Sequence, residues 1–418
     1  MLNTIQVAQK LNFVRMSGTE GEKKAVSIIT NYLEQFGINY QIDEFEHFSY
    51  EFGKASLSCQ NISFKVHPFG LNPDSDVEGK LIFLENLEQI RYNKGAYQDR
   101  IILTYNYSRK IANQLDEDGV KALIVINPPF KKNKTSSHRQ KLYKEKRFVP
   151  SIKISYDEAK KLKKFIGNTV RLVIEQNVTK QKGHNIVATI PGKSYDKNLI
   201  YAVGHYDTVG RAVGASDNTG GTATLLKVAE YFSSNRPQRD LKIIFFSGEE
   251  LGLLGSQAYV KKYKKEIKER ASLVVNIDVS GDEFGKDIYN IIGNSKLLGY
   301  IDGISKENGL MFKSALDIYS SDCMPFSIYE IPAINIARFG GKALINAHTP
   351  DDKLEYITED GLKNTVSATM TILKRILNAK IFPVNKEIDK ELRPKIEKYL
   401  FNSTLEKPEL NWTPQFKK

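Results

Sequence analysis

Seven side chains carry the chemistry open to this sequence. His205 stands in Gly204-His205-Tyr206-Asp207, and Asp217 in the loop Gly214-Ala215-Ser216-Asp217-Asn218-Thr219-Gly220-Gly221. Glu249 and Glu250 are adjacent in Ser247-Gly248-Glu249-Glu250, Asp278 closes the run Ala271–Ile277, and His348 lies in Ala347-His348-Thr349-Pro350-Asp351-Asp352. Two histidines and several carboxylates converging on one point cannot all keep their charges without a cation. Imidazole with carboxylate suits zinc before manganese or cobalt. Two metals sharing a carboxylate would neutralise such a cluster and hold an attacking water between them. Asp207, two residues after His205, is placed to accept the other ring N–H and fix the tautomer. Of the Glu249–Glu250 pair, one can bind metal while its neighbour takes a proton from the water.

Each fragment alone is weak. His-x-Asp and Glu-Glu pairs occur on ordinary surfaces, and Asp278 alone reads as a cap or a solvated strand end. The glycine-rich loop could cradle a phosphate, but it lacks the lysine and the spacing of phosphate loops. The argument rests on their order, because successive polar clusters follow apolar runs of strand type. In α/β folds ligands bind beyond the carboxyl ends of parallel strands.

The positioning elements are strands Asn185–Ile190, Asn198–Val203, Leu241–Phe246, Ala271–Asp278, Ile288–Ile292 and Ala333–Ala337. They alternate with helices over Gly220–Ser233, Gly252–Ile267, Lys296–Asn308 and Glu359–Ala379. This predicts an α/β fold with a mixed, mostly parallel sheet and helices on both faces. An amphipathic helix ending at Gly37 opens the chain. From about Leu71 to Leu172 short apolar strands alternate with helix-like stretches (Arg109–Asp118, Tyr156–Phe165), which suggests a separate smaller α/β or β-rich module. The expected division is residues 1–55 with 180–380, an insert over 56–179, and an extension over 381–418.

Composition narrows the class. The 418 residues are 41% hydrophobic with 14 Pro and 28 Gly, which excludes a disordered or collagen-like chain. The net charge of +12 hints at nucleic acid until it is located. Eight basic residues against Glu145 lie in Lys131–Arg147, and six against two acids in Lys261–Arg270. These read as a solvated loop and a helix end, without the aromatic interleaving of a strand-binding platform. Cys59 and Cys323 cannot build a disulfide framework. No signal-peptide core and no run of 18 apolar residues is visible, so a cytoplasmic protein with no membrane or nucleic-acid partner is expected.

In order and spacing, AVGHYDTVG, GASDNTGGTATLL, FFSGEELGLLGSQAYV, NIDVSG and NAHTPDDKLEYI resemble the two-zinc aminopeptidases of metallopeptidase family twenty-eight. RMSGTEGEKKAVSIITNYLEQFG is similar to that family's opening helix. VEGKLIFLENL, DEDGVKALIVIN and VPSIKISYDEAKKL resemble, more weakly, an inserted protease-associated domain. The resemblance implies two Zn2+ per chain and a peptide substrate cleaved at its N-terminal residue. His205 and Asp278 would bind one zinc, Glu250 and His348 the other, with Asp217 bridging. Glu249 would be the general base for a metal-activated water attacking the peptide carbonyl, and Asp207 would orient His205. It also implies a cis peptide at Asp217-Asn218. Tyr289, Tyr319 and Arg338 are candidates to stabilise the oxyanion. One departure is Ser321-Asp322-Cys323-Met324-Pro325-Phe326, where the family often has histidine at position 323, so substrate preference is open. Alternatives are a dizinc carboxypeptidase or deacylase of a related family, a single-zinc glutaminyl cyclase, and a non-catalytic peptide-binding relative. An insert before the His-x-Asp pair and a complete ligand set weigh against these. Oligomeric state is not legible.

Overall fold

The computed structural model describes residues 2–107, 111–129, 134–194 and 196–412. The chain divides into two compact units, Met1–Glu46 with Lys182–Lys418, and His47–Gln181. The first boundary thus falls earlier than residue 55, because Lys54–Cys59 pairs with Thr169–Glu175 and Glu51 N–H donates to the Asn177 carbonyl.

The first unit is built on an eight-stranded sheet. Its spatial order is Tyr40–Tyr50, Val178–Ile190, Asp240–Phe246, Leu199–His205, Ala271–Ile277, Ala333–Phe339, Lys286–Ile292 and Lys313–Leu316. The four strands from Asp240–Phe246 to Ala333–Phe339 are mutually parallel, and each flank begins with an antiparallel pairing. Burial on both faces explains why the central strands are nearly continuous apolar runs. Alternate residues then separate into two cores. Ile200, Ala202, Ile243, Phe245, Leu273 and Val275 face one layer with Leu226, Phe232, Ile372 and Leu33. Leu199, Tyr201, Val203, Ile244 and Phe246 face the other, with Tyr259, Phe326, Ile396 and Leu400. Ile388, Leu392, Ile396 and Leu400 of the tail thus join the first unit's core, the last two through the helix Arg393–Thr404.

The opening helix, Glu20–Gln35, is capped by the Thr19 hydroxyl, which accepts from Glu22 N–H. Gly37 at φ +67° ends it in a Schellman turn, with Ile38 N–H on the Leu33 carbonyl and Gly37 N–H on that of Glu34. Thr4–Lys10 is a separate short helix before it. The helix expected over Gly252–Ile267 is instead two short ones, Leu254–Lys262 and Lys264–Arg270. Gly252 at φ +115° and Leu253 at φ +61° turn the chain before the first can start. The edge strand Lys313–Leu316 carries little apolar signal and was not expected.

The second unit has its own eight-stranded sheet. Ser75–Asn86, Arg100–Asn106, Ala122–Ile126 and Ser151–Ile154 form its parallel centre. Of the expected Arg109–Asp118 helix, residues 109 and 110 lie outside the described part and the helix is Ala112–Glu117. Residues 131–133 of the basic segment also lie outside it. The remainder is not wholly loop, because Gln140–Lys144 is helical with Leu142 buried, and Arg147 pairs with Glu117 and Asp116. Among the described residues no helix is long and apolar enough to cross a membrane.

Candidate metal centre

The parallel registers bring the polar clusters to one edge. His205 pairs with Phe246 in the strand ladder, so Ser247 to Glu250 leave the sheet beside it, and Asp278 follows the neighbouring strand. The chain passes from Leu199–His205 to Asp240–Phe246 on one side, then crosses to Ala271–Ile277 on the other. The reversal opens a crevice at this edge.

His205 is fully buried, and its Nε2 lies 3.2 Å from Asp217 Oδ1 and 3.2 Å from Asp278 Oδ1. His348 Nε2 lies 3.0 Å from the other Asp217 oxygen, Oδ2, and 3.0 Å from Glu250 Oε2. The structure thus brings His205, Asp217 and Asp278 into one group and Asp217, Glu250 and His348 into a second, each with donor atoms within 4.8 Å of one another. Around a tetrahedral zinc with bonds of about 2.0–2.1 Å, neighbouring donor atoms are about 3.3 Å apart. The observed separations suit such ions, and the N/O donor set suits zinc.

Asp217 is held from several sides. The Asp217-Asn218 peptide is cis. The carboxylate of Asp352 accepts from the Ser216 N–H and hydroxyl and from Asp217 N–H. Asn218 donates to the Ile277 carbonyl and accepts from Gly221 N–H, tying the loop to the strand that precedes Asp278. Asp352 went unremarked in the sequence, although it stands four residues after His348.

Asp207 does more than was expected of it. His205 Nδ1 is nearer the Asp207 carbonyl (3.2 Å) than its carboxylate (3.5 Å). The carboxylate accepts the backbone N–H groups of Glu249 and Glu250 at 3.2 and 3.4 Å. It therefore links the strand end bearing His205 to the turn bearing both glutamates. Glu22 supports the same junction. Its buried carboxylate accepts from Gly18 N–H, His184 N–H and the hydroxyls of Ser247 and Tyr206. Nothing in the spacing of the sequence pointed to Glu22.

Without a cation the electrostatics are tense. Burial opposes charge on His205 and His348, yet the carboxylates around them push both well above the ordinary imidazole value. Burial, followed by repulsion from Glu250, Asp278 and Asp322, lifts Glu249 well above the usual carboxylate range despite the pull of His205. Glu250 is also raised, by burial first. Asp217 is held low against burial by hydrogen bonds from both histidines. Glu249 belongs to neither donor group.

The oxyanion candidates separate clearly. Tyr289 stacks on Phe312 at 4.2 Å and accepts from Ser305, within the core. Arg338 is committed to Asp287 and to the carbonyls of Asp282 and Glu283. Tyr319 alone of the three is tied to the site, donating to the Asp278 carbonyl at 3.0 Å. Cys323 is buried, with its thiol 3.0 Å from Asn335 Oδ1. Its neighbour Asp322 is buried too, and desolvation lifts its carboxyl to about 7.

A family model described as peptidase family M28 matches residues 185–373, the span that holds all seven side chains. Residues 185–373 are a peptidase family M28 domain. Aminopeptidase YwaD of Bacillus subtilis is similar to this chain, 24% identical over 84% of it and 78% of that protein. A probable zinc metalloprotease of Pyrenophora tritici-repentis is 29% identical over 42% of the chain, which spans only 39% of that relative. Among solved structures, an aminopeptidase from Aneurinibacillus sp. strain AM-1 aligns with a TM-score of 0.76 and 23% identity over 92% of this chain and 96% of its own. A zinc aminopeptidase from Bacillus subtilis aligns with a TM-score of 0.75 and 20% identity over 92% and 98%. The likeness in fold to these two structures covers residues of both units.

Proposed function

We propose that the chain is a dizinc aminopeptidase that removes N-terminal residues from peptides. One observation carries the reading. Asp217 divides its two oxygens between His205 and His348, so two donor groups meet at a shared carboxylate. His205 and Asp278 would hold one zinc, Glu250 and His348 the other, with Asp217 common to both. When bound, such a pair supplies Lewis acidity toward a peptide carbonyl and lowers the pKa of water. The names of the similar aminopeptidases support the substrate class.

The chain's own residues would then divide the work. Glu249, outside both groups and with its proton affinity raised, is suited to accept the proton of the attacking water and return it to the leaving amine. Asp207 fixes His205 and the Glu249–Glu250 turn. Tyr319 is the oxyanion candidate tied to the site, and it would serve by turning its single hydroxyl proton from the Asp278 carbonyl to the substrate. The unit His47–Gln181 is read as a protease-associated module, on its parallel strand–helix core and its place between Glu46 and Lys182. A cytoplasmic location belongs to the same proposal.

The test is hydrolysis of amino-acid p-nitroanilides beside their N-acetylated forms and C-terminally free acyl-dipeptides. The free-amine substrates alone should turn over. Activity should vanish with a chelator and return with two equivalents of zinc. Cleavage of the blocked substrates instead would favour the carboxypeptidase or deacylase alternative.

A further inference from the structure

Arg15 has no exposed surface, lies far in sequence from every metal motif, and directs its whole guanidinium into one loop and its own turn. Nε donates to the Tyr206 carbonyl. One terminal nitrogen donates to the carbonyls of Val213, Leu11 and Phe13. The other donates to the Gly214 carbonyl at 3.1 Å and the Thr219 hydroxyl at 2.7 Å. The Arg15 backbone N–H adds a bond to the Thr208 hydroxyl. Every acceptor of the guanidinium is a carbonyl or a hydroxyl, and no ion pair reaches it among the described residues.

The loop it grips begins one residue after His205 and contains Asp217. Tyr206 is bound at its start, Val213 and Gly214 before Asp217, and Thr219 beyond it. The loop has little slack. Gly214 sits at φ +56°, and a Cβ there would meet the Asp217 carbonyl oxygen at 2.3 Å. We propose that Arg15 is a positioning residue that holds residues 206–219 closed, setting the separation of His205 from Asp217 on which metal binding depends. The inference rests on the dizinc reading.

Two physical points single out arginine. A planar fork of five N–H donors can serve carbonyls on both arms of a loop, whereas the three donors of lysine radiate from one point. A buried cation is also costly unless negative charge lies near it. Burial lowers the Arg15 pKa to about 10, against the fields of Asp207, Asp352, Asp217 and Glu250, so the group stays charged at neutral pH.

Arg15→Gln and Arg15→Lys test this, with Thr219→Val as a milder variant that leaves the arginine but removes one of its acceptors, together with that hydroxyl's own bond to the Gly214 carbonyl. Zinc affinity would be measured by chelator competition. Cobalt-substituted protein would be examined for its visible absorption and for magnetic coupling between the two ions. Both arginine variants should lose about tenfold or more in zinc affinity, as disrupted outer-shell partners do. They should also lose the coupling, with kcat falling more than KM rises. Thr219→Val should move the same way by a smaller factor. Wild-type affinity and cobalt spectrum in Arg15→Gln would overturn the proposal. If that variant does not fold, the same result in Thr219→Val overturns it. A wild-type chain that takes up only one zinc would sink the dizinc reading, and Arg15 would then be judged on that single affinity.

Discussion

At the scale of single residues, adjacent identical side chains acquire different environments. Glu249 and Glu250 share a turn whose N–H groups both end on Asp207, yet only Glu250 meets a histidine. Its neighbour is left with burial and surrounding negative charge, the conditions that raise a carboxyl's proton affinity. Glu249→Gln should therefore lower kcat by about 10²–10⁴, the usual range for a general base, while elemental analysis still finds two zinc ions. Turnover near wild type would remove Glu249 from that role. The sequence placed these residues together but could not separate their roles by geometry. That separation needs the direction of each side chain, which adjacent positions at a strand end do not reveal.

At the scale of elements, the segment Ser321–Phe326 is supported from behind by the end of the chain. Ile388, Leu392, Ile396 and Leu400 bury against the layer containing Met324 and Phe326. Tyr399 meets Ser320, Lys395 pairs with Asp317, and Trp412 donates to the Ser327 carbonyl. Ile396 has no exposed surface, so Ile396→Ala should destabilise the first unit by about 2–5 kcal/mol, read as a lower urea midpoint at unchanged slope. A change of less than about 0.5 kcal/mol would mean that the tail is peripheral. The sequence marks this tail only as an extension over 381–418. Its partner lies more than sixty residues upstream, and no local pattern encodes which surface a terminal helix covers.

At the scale of the whole molecule, metal and proton compete for the same groups. In the metal-free chain the carboxylates hold His205 and His348 above their ordinary value, so the protonated rings stabilise the fold. That contribution is complete below the unfolded value of about 6.5 and is lost as pH rises through the raised folded values. Glu249 and Glu250, raised by burial, add to the loss because their ionised forms are the disfavoured ones. Zinc requires the deprotonated rings, so its stabilisation grows with pH. The gap in melting temperature between zinc-loaded and chelated protein should widen from pH 6 to pH 8. At zinc about 100-fold above Kd, binding contributes about 2.7 kcal/mol. A gap that is constant or narrows with pH would contradict the proton competition.

The net charge of +12 does not locate the acidic site, because the carboxylates gather at the strand ends while basic residues such as Lys261, Lys264 and Lys265 are exposed. The sequence by itself determined the strand ends and the residue types standing at them. Alternating apolar runs dictate a buried sheet, and a polar cluster directly after each parallel strand must emerge at one edge. Tertiary structure alone decided the order of strands across that edge, the division of Asp217 between two histidines, and the service of Arg15, Glu22 and Asp352 to the loops. Those three act through backbone groups distant in sequence. A hydrogen bond between a buried charge and a remote backbone or hydroxyl group leaves no periodicity or spacing by which it can be read.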